Sequence, residues 1–80
     1  MFYVYLLKSI RTSNKTYIGY TTNLKERVKK HNEGGSIYTK NDHPWELIAY
    51  IALNSEAKAK SMEKYLKEGS GHAFAKKRFW

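Results

Sequence analysis

The chain has 80 residues, 41% of them hydrophobic and 15% aromatic, which predicts one folded domain over residues 1–80 and is too short for two cores. It contains no cysteine, which excludes disulfide scaffolds, thiol catalysis and cysteine-bound zinc. The 15 Lys and Arg against 7 Asp and Glu give a net charge of +8, which favours a nucleic acid as partner before a membrane.

The amino-terminal residues carry no basic cluster ahead of their apolar stretch, and no apolar run approaches the roughly 20 residues of a membrane helix. We therefore expect no signal peptide, no membrane contact and a cytoplasmic protein. A basic balance can also serve only to keep a small domain in solution, so charge alone does not establish a partner.

A β-hairpin is predicted first. Residues 2–7 form an aromatic and β-branched run that is typical of a strand. A turn cluster at 12–15 separates this run from a second strand at 16–21, which would return beside the first.

A helix is predicted next, over residues 24–32. Thr22 or Asn23 can cap its first turn, and the glycines at 34–35 end it. At about 100° per residue, Leu24, Arg27, Val28 and His31 fall in one sector of this helix. Two polar side chains are thereby predicted to face the sheet.

The second half of the chain predicts a polar loop at 36–43 that ends at Pro44, a strand at 45–53 and a helix at 56–67. Asn54 or Ser55 would cap that helix and Gly69 would end it, before a last short helix at about 72–79. The order ββαβαα predicts an α/β (α+β) domain with a three-stranded central sheet flanked by helices.

Arg27 and His31 stand four residues apart, and a guanidinium beside an imidazole suits a phosphate better than a hydrocarbon core. Alternatively, Arg27 extends to the helix edge and His31 is a core histidine with a satisfied hydrogen bond. Tyr5 and Tyr17 lie in the hairpin on which this helix should pack, either as site residues or as core aromatics bonded to the backbone. The sequence alone does not show which face of the first strand lies on the same side of the sheet as a given face of the second.

Glu63 flanks the apolar stripe of the second long helix. It is either a surface carboxylate paired with Lys67 or the single protein ligand of a Mg²⁺ ion. In the second case, water molecules and a substrate phosphate would complete the coordination shell of the ion. The three histidines lack zinc-ligand spacing, and Gly69-Ser70-Gly71 reads as a helix stop rather than a phosphate loop. Further basic side chains form either a nucleic-acid surface or a solvated face: Lys40, Lys67, Lys76, Lys77 and Arg78.

Several of these residues occur together in one family. Tyr3-Val4-Tyr5, then Tyr17-Ile18-Gly19 after 11 intervening residues, followed by Arg27, His31 and Glu63, resembles the GIY-YIG nuclease superfamily. The resemblance extends over essentially the whole chain, and is greatest to small stand-alone members related to the N-terminal nuclease domain of the UvrC repair protein. Tyr3 replaces the glycine of the family name, and the asparagine that many members have near the domain's end has no counterpart after Gly71.

The resemblance implies a metal-dependent endonuclease that hydrolyses duplex or branched DNA, in repair or recombination, with Mg²⁺ or Mn²⁺ as cofactor. Glu63 would bind the metal, Tyr5 or Tyr17 would position or deprotonate the attacking water, Arg27 would stabilise the phosphate and His31 would assist proton transfer. A tyrosine ionises near pH 10, so it is a poor base unless a metal or cation acts on it. The alternative is a DNA-binding module of the same fold that lacks turnover. A protein partner would supply specificity, and the oligomeric state is not given by the sequence.

Overall fold

The computed structural model describes all residues from Met1 to Trp80. Three strands and three helices follow one another in the predicted order, which makes the fold α+β: β1 (Phe2–Ser9), β2 (Thr16–Thr21), α1 (Leu24–Asn32), β3 (Trp45–Leu53), α2 (Glu56–Lys67) and α3 (Gly69–Arg78). No helix combines the length and the apolar character that crossing a bilayer requires.

The sheet is antiparallel and has the order β2-β1-β3, so that β1 is central and the other strands form the edges. The centre falls to β1 because its residues from Val4 to Leu7 are apolar on both faces and all are buried. The register pairs Tyr5 with Gly19 and Leu7 with Tyr17. Since directly opposed residues share a face, both predicted site tyrosines lie on the same side of the sheet.

Each face of the sheet has its own apolar cluster. On one face Tyr5, Leu7 and Trp45 pack beneath α1. On the other face a larger cluster joins the sheet to α2 and α3, and its buried members are Val4, Leu6, Ile18, Ala59, Leu66 and Ala75. The alternation of side chains along β1 therefore serves two layers at once, which is how 80 residues cover both faces of one sheet.

The predicted bounds of α1, α2, β2 and β3 are confirmed. Each of the two helices is also capped by one of the two polar residues predicted for it. The side chains of Asn23 and Ser55 accept hydrogen bonds from backbone N–H groups in α1 and α2 respectively. β1 runs to Ser9, two residues beyond the predicted end. Its extension is explained by pairing with β3, which continues to Trp45.

The last helix begins at Gly69, three residues before the predicted start at 72. Gly69 has φ +52° and reverses the chain after α2, so it both ends one helix and opens the next. Gly71 is buried, and a Cβ there would overlap the carbonyl oxygen of Tyr65. The Gly-Ser-Gly segment is thus the close contact between α2 and α3 and not only a stop.

The connection between α1 and β3 is tied to the β1–β2 hairpin by side-chain hydrogen bonds. Ser9 Oγ donates to the backbone oxygen of Asp42 at 2.6 Å, and Thr12 Oγ1 donates to the Asp42 carboxylate at 2.8 Å. Trp45 Nε1 donates to the carbonyl oxygen of Thr39 at 3.1 Å. These bonds give the segment between Glu33 and Pro44 a fixed path, although the sequence predicts it only as a polar loop.

We expect Gly71→Ala to destabilise the protein. Alanine is intrinsically better than glycine inside a helix by about 1 kcal/mol, but the overlap with the Tyr65 carbonyl forces α3 away from α2, and we expect a net loss of about 1–3 kcal/mol. Urea unfolding measures this loss. Ser70→Ala, at the exposed neighbouring position, is the control, and equal stability of the two variants would contradict the assigned contact.

Candidate active site

Tyr5 reaches across β2 because Gly19 opposes it. The Tyr5 ring lies over Gly19, where a Cβ would overlap the Tyr5 hydroxyl and stand 2.5 Å from its Cζ and 2.9 Å from Cε2 of Tyr17. Any larger residue would displace Tyr5 or Tyr17. The requirement for glycine in Tyr17-Ile18-Gly19 is therefore steric, and it places the Tyr5 hydroxyl toward the free edge of β2.

The Tyr5 hydroxyl is the first group in a chain of buried hydrogen bonds. Its Oη shares a hydrogen bond of 2.8 Å with Nε2 of His31, and Nδ1 of His31 shares one of 2.7 Å with the hydroxyl of Thr39. His31 is 1% exposed and Thr39 is fully buried, so both ring nitrogens are satisfied inside the protein. The prediction that His31 faces the sheet is confirmed.

Burial favours the neutral forms of Tyr5 and His31. Desolvation, followed by the positive charges of Arg27 and Lys30, lowers the pKa of His31 below its ordinary value. Desolvation, together with the nearby Tyr17, raises the pKa of Tyr5 to about 12. A neutral imidazole carries a single N–H, so the bonds run in one direction, either from Tyr5 through His31 to Thr39 or the reverse.

Arg27 does not face the sheet but extends to the edge of α1, which is the alternative that the sequence left open. Its side chain is exposed and lines an open groove of about 280 Å³ beside β2, together with Lys30 and Glu26. The helical angle put it in the inward sector, but it lies at the margin of that sector and extends to solvent. Its guanidinium nevertheless favours the ionised form of Tyr5 and opposes the rise in the pKa of that hydroxyl, so Arg27 lies within electrostatic reach of the site.

Tyr17 completes the aromatic wall of the site. Its ring centroid lies 5.0 Å from that of His31 and 6.2 Å from that of Tyr5. Unlike the fully buried Tyr5, Tyr17 is half-buried, so part of it faces solvent at the β2 edge. Of the two predicted tyrosines, Tyr17 is the one that a bound molecule can touch directly.

Glu63 approaches from the other layer of the fold. It lies on α2, which packs on the opposite face, and its carboxylate accepts a hydrogen bond from Lys67 Nζ at 3.0 Å. That ammonium in turn lies 5.9 Å from the centroid of the Tyr17 ring. Glu63 also adds a smaller part to the raised pKa of Tyr5, after burial and Tyr17. The side chains of α2 thus pass around the β2 edge to reach the tyrosines.

The five predicted site residues therefore converge on one edge of the sheet, which we call the edge site: Tyr5, Tyr17, Arg27, His31 and Glu63. The pairing of Glu63 with Lys67 is the surface ion pair that the i,i+4 spacing predicted. At 24% side-chain exposure Glu63 remains accessible, and its partner Lys67 is itself 46% exposed. Nothing buried has to move for Glu63 to change partner.

The donors around Glu63 allow a limited range of metals. No group of three or more His, Cys, Asp or Glu side chains is close enough to hold an ion. A single accessible carboxylate fits Mg²⁺ or Mn²⁺, because such ions keep several waters and take further oxygens from a substrate phosphate.

The predicted nucleic-acid lysines and arginine are not one patch. Lys67 contacts two residues of the edge site, Tyr17 and Glu63. Lys40 is exposed on the loop that contains Thr39. Lys76 lines a separate polar groove with Lys8 and His72. Lys77 and Arg78 are exposed at the end of α3. Of these five residues, Lys67 is the one with a described contact to the edge site.

Thr39 is the residue that sequence reasoning missed. It lies in a segment predicted as a polar loop, and its contact with His31 spans a turn whose path depends on Asp42 and Trp45. One signal was available in principle, since a buried histidine bonded to a tyrosine needs a second partner. Which of several loop hydroxyls would supply it could not be read from spacing.

Known proteins resemble the chain over most of its length. A family model described as the GIY-YIG catalytic domain matches residues 1–77. A UPF0213 protein of Clostridium perfringens is 38% identical over 69 residues, which cover 85% of this chain and 72% of that protein. The structure-specific endonuclease subunit SLX1 of Candida dubliniensis is 42% identical over 54 residues, or 60% of this chain and 19% of that protein. The solution structure of a UPF0213 protein of Bacillus halodurans aligns with a TM-score of 0.57 at 35% identity, covering 95% of this chain and 81% of that one.

We expect Thr39→Val to leave Nδ1 of His31 without its partner. A buried polar atom that loses its hydrogen bond costs about 1–3 kcal/mol, so urea unfolding should detect a loss of that size. Thr39→Ser retains the hydroxyl and should keep the ¹⁵N chemical shifts of the His31 ring at their wild-type values. Unchanged ring shifts in Thr39→Val would contradict the hydrogen bond.

We expect stability to fall as the pH is lowered below about 6.5, the ordinary pKa of histidine. Because the folded pKa of His31 is lowered, the unfolded chain binds its proton at a higher pH, so this contribution is complete above that value and declines below it. Thermal unfolding between pH 7 and pH 5 measures the slope. His31→Gln should show a shallower slope than wild type, whereas His72→Gln, at an exposed position, should not.

Proposed function

This chain belongs to the GIY-YIG catalytic domain family, and from that premise we propose that it is a divalent-metal-dependent endonuclease that hydrolyses phosphodiester bonds in DNA. The observation that supports this most strongly is the edge site, where a buried tyrosine–histidine pair, a cation and a carboxylate from the opposite layer meet at an open edge. Hydrolysis of a phosphodiester requires these components: a charge to hold the phosphate, a proton acceptor and a ligand for a Lewis acid.

The phosphate would lie against Arg27. Its guanidinium is exposed in the groove beside β2, where Lys30 adds a second positive charge. A guanidinium can donate two parallel hydrogen bonds to phosphate oxygens, and it stabilises the negative charge that develops as the bond breaks. The net charge of +8 favours the approach of a polyanion to this surface.

Glu63 would hold the metal, Mg²⁺ or Mn²⁺, on the side of the site formed by α2. The ion, when bound, supplies Lewis acidity to the phosphate and lowers the pKa of coordinated water. Lys67 is the present partner of the Glu63 carboxylate, and its exposed ammonium is free to turn toward a phosphate instead. One carboxylate then leaves most of the coordination positions to water and substrate oxygens.

Tyr5 and Tyr17 would have different roles because they differ in burial. Tyr17, half-buried at the edge, would orient the attacking water through its hydroxyl. Tyr5 has a pKa near 12, so it is the weaker candidate for a base that ionises on its own. It can instead accept the proton of the water while its own hydroxyl proton passes to Nε2 of His31 at 2.8 Å.

His31 would be the final acceptor of that proton. Its lowered pKa keeps it unprotonated at neutral pH, and therefore ready to accept. This role requires the direction from Tyr5 to Nε2, with Nδ1–H donated to Thr39. In that arrangement the oxygen of water bonds to phosphorus as the bond to the leaving oxygen breaks, and the leaving oxygen takes a proton from solvent. The proton lost by the attacking water ends on Nε2, and the charge formed on the imidazole is met by the Thr39 oxygen.

DNA repair or recombination is the setting we propose, with branched or duplex DNA as substrate. The relative in Candida dubliniensis is named a subunit of a structure-specific endonuclease. A protein partner would supply further specificity, because the edge site itself would contact the DNA backbone rather than the bases. A module that binds DNA without cutting it is the competing outcome of the test below.

We expect the chain to nick supercoiled plasmid and to cut a labelled branched duplex with Mg²⁺ or Mn²⁺ but not with EDTA. Glu63→Gln should abolish cutting because it removes the carboxylate charge, and Arg27→Ala should lower the rate by about a hundredfold or more. Glu68→Gln, at an exposed carboxylate outside the site, is the control and should cut as wild type does.

Circular dichroism would verify that each variant is folded. Cutting that survives Glu63→Gln would refute the role of Glu63. Salt-sensitive DNA binding by folded wild type with no cutting under any metal condition would refute the endonuclease and leave a binding module.

A further inference from the structure

A second groove lies on the opposite side of α1 from Arg27, between this helix and β3. Its volume is about 550 Å³. The floor is formed by side chains of the sheet and the wall by side chains of α1, namely Tyr3, Leu47 and Tyr50 below with Leu24, Lys25 and Val28 beside them. We call it the α1–β3 groove. The nine-residue α1 is too short to cover the whole face, so this part of the sheet stays open.

Two aromatic side chains in this groove are not required by either core. The rings of Tyr3 and Tyr50 meet edge to face, with centroids 6.0 Å apart at 64°. Tyr50 is 53% exposed, and neither tyrosine belongs to the clusters that join the sheet to its helices. An open aromatic face bordered by a lysine is the arrangement on which unpaired bases stack.

The α1–β3 groove and the groove that contains Arg27 share two lining residues. Both are lined by Thr22 and Asn23, which precede α1, so the two grooves lie on either side of the start of that helix. A strand whose phosphate contacts Arg27 can therefore continue past Asn23 into the second groove.

Charge favours a nucleic acid over an apolar protein segment as the occupant. Lys25 is the only charged residue that lines the α1–β3 groove, and no carboxylate does. The neighbouring groove adds Arg27 and Lys30 against Glu26. A polyanion would meet a net positive charge in both grooves, whereas a hydrophobic helix would find a groove with lysine and two tyrosine hydroxyls.

We propose that the α1–β3 groove binds one unpaired nucleobase of the DNA strand held at Arg27, with the base stacked on Tyr50 and the Lys25 ammonium near its backbone. A base within a duplex is already paired and stacked, so it cannot enter. The edge site would consequently prefer DNA in which the strand is unpaired next to the cut, such as a flap, a branch or a single-stranded extension. This inference rests on the proposed function for the position of the phosphate.

The test compares the affinity of the protein for a hairpin duplex with and without a short single-stranded extension, by fluorescence anisotropy in EDTA. Tyr50→Ala should weaken binding of the extended DNA by about five- to a hundredfold, the effect of losing one stacked base, and leave the blunt duplex unchanged. Tyr50→Phe keeps the ring and should bind as wild type. Phe74→Ala removes an exposed aromatic on α3, outside the groove, and should also bind as wild type.

Equal affinities of wild type and Tyr50→Ala for the extended DNA would overturn the proposal, as would equal weakening for both DNAs. Sedimentation velocity tests whether a second copy of the chain occupies the groove instead. A wild-type dimer that dissociates in Tyr50→Ala would assign the groove to that second copy and would also overturn the proposal. Because EDTA prevents metal-dependent cutting, binding is scored separately from turnover. A chain that passes this test but never cuts would refute the proposed function alone.

Discussion

The arrangement of the site depends on the absence of one side chain. Gly19 leaves the space in which the Tyr5 ring crosses β2, and only that crossing brings the Tyr5 hydroxyl to His31. From His31 the dependence continues to Thr39, whose carbonyl oxygen accepts from Trp45 at the start of β3. A hairpin, a helix and a loop are thus held in one geometry by three hydrogen bonds. Loss of the glycine would act on all of them together.

Charge and burial are separated across the edge site. The groups inside, Tyr5, His31 and Thr39, are neutral and satisfy one another, so their burial carries no unpaired charge. The charged groups, Arg27, Glu63 and Lys67, remain at the rim, where water compensates them. A domain of 80 residues has little stability to offset a buried ion pair. The arrangement therefore allows a charged substrate to be bound at the surface while proton acceptors stay fixed beneath.

Local rules predicted the elements well and non-local contacts poorly. Periodicity and capping residues such as Asn23 and Ser55 gave the helix starts, because these signals act within a few residues. The start of α3 was missed since it depends on Gly71 meeting the Tyr65 carbonyl of another helix. In the site, the grouping of the five residues came from their resemblance to a family. The exposure of Arg27 and the place of Thr39 depended on packing that spacing does not encode.

The position of β2 at the border of the sheet limits how this fold can be enlarged. Glu63 and Lys67 reach Tyr17 only by passing around β2 from the far layer, so the backbone groups of that strand must stay unpaired on their outer side. A fourth strand added there would form a wall between the carboxylate and the tyrosines. Growth of the sheet, whether by insertion, fusion or assembly of several chains, is compatible with an intact site only along β3.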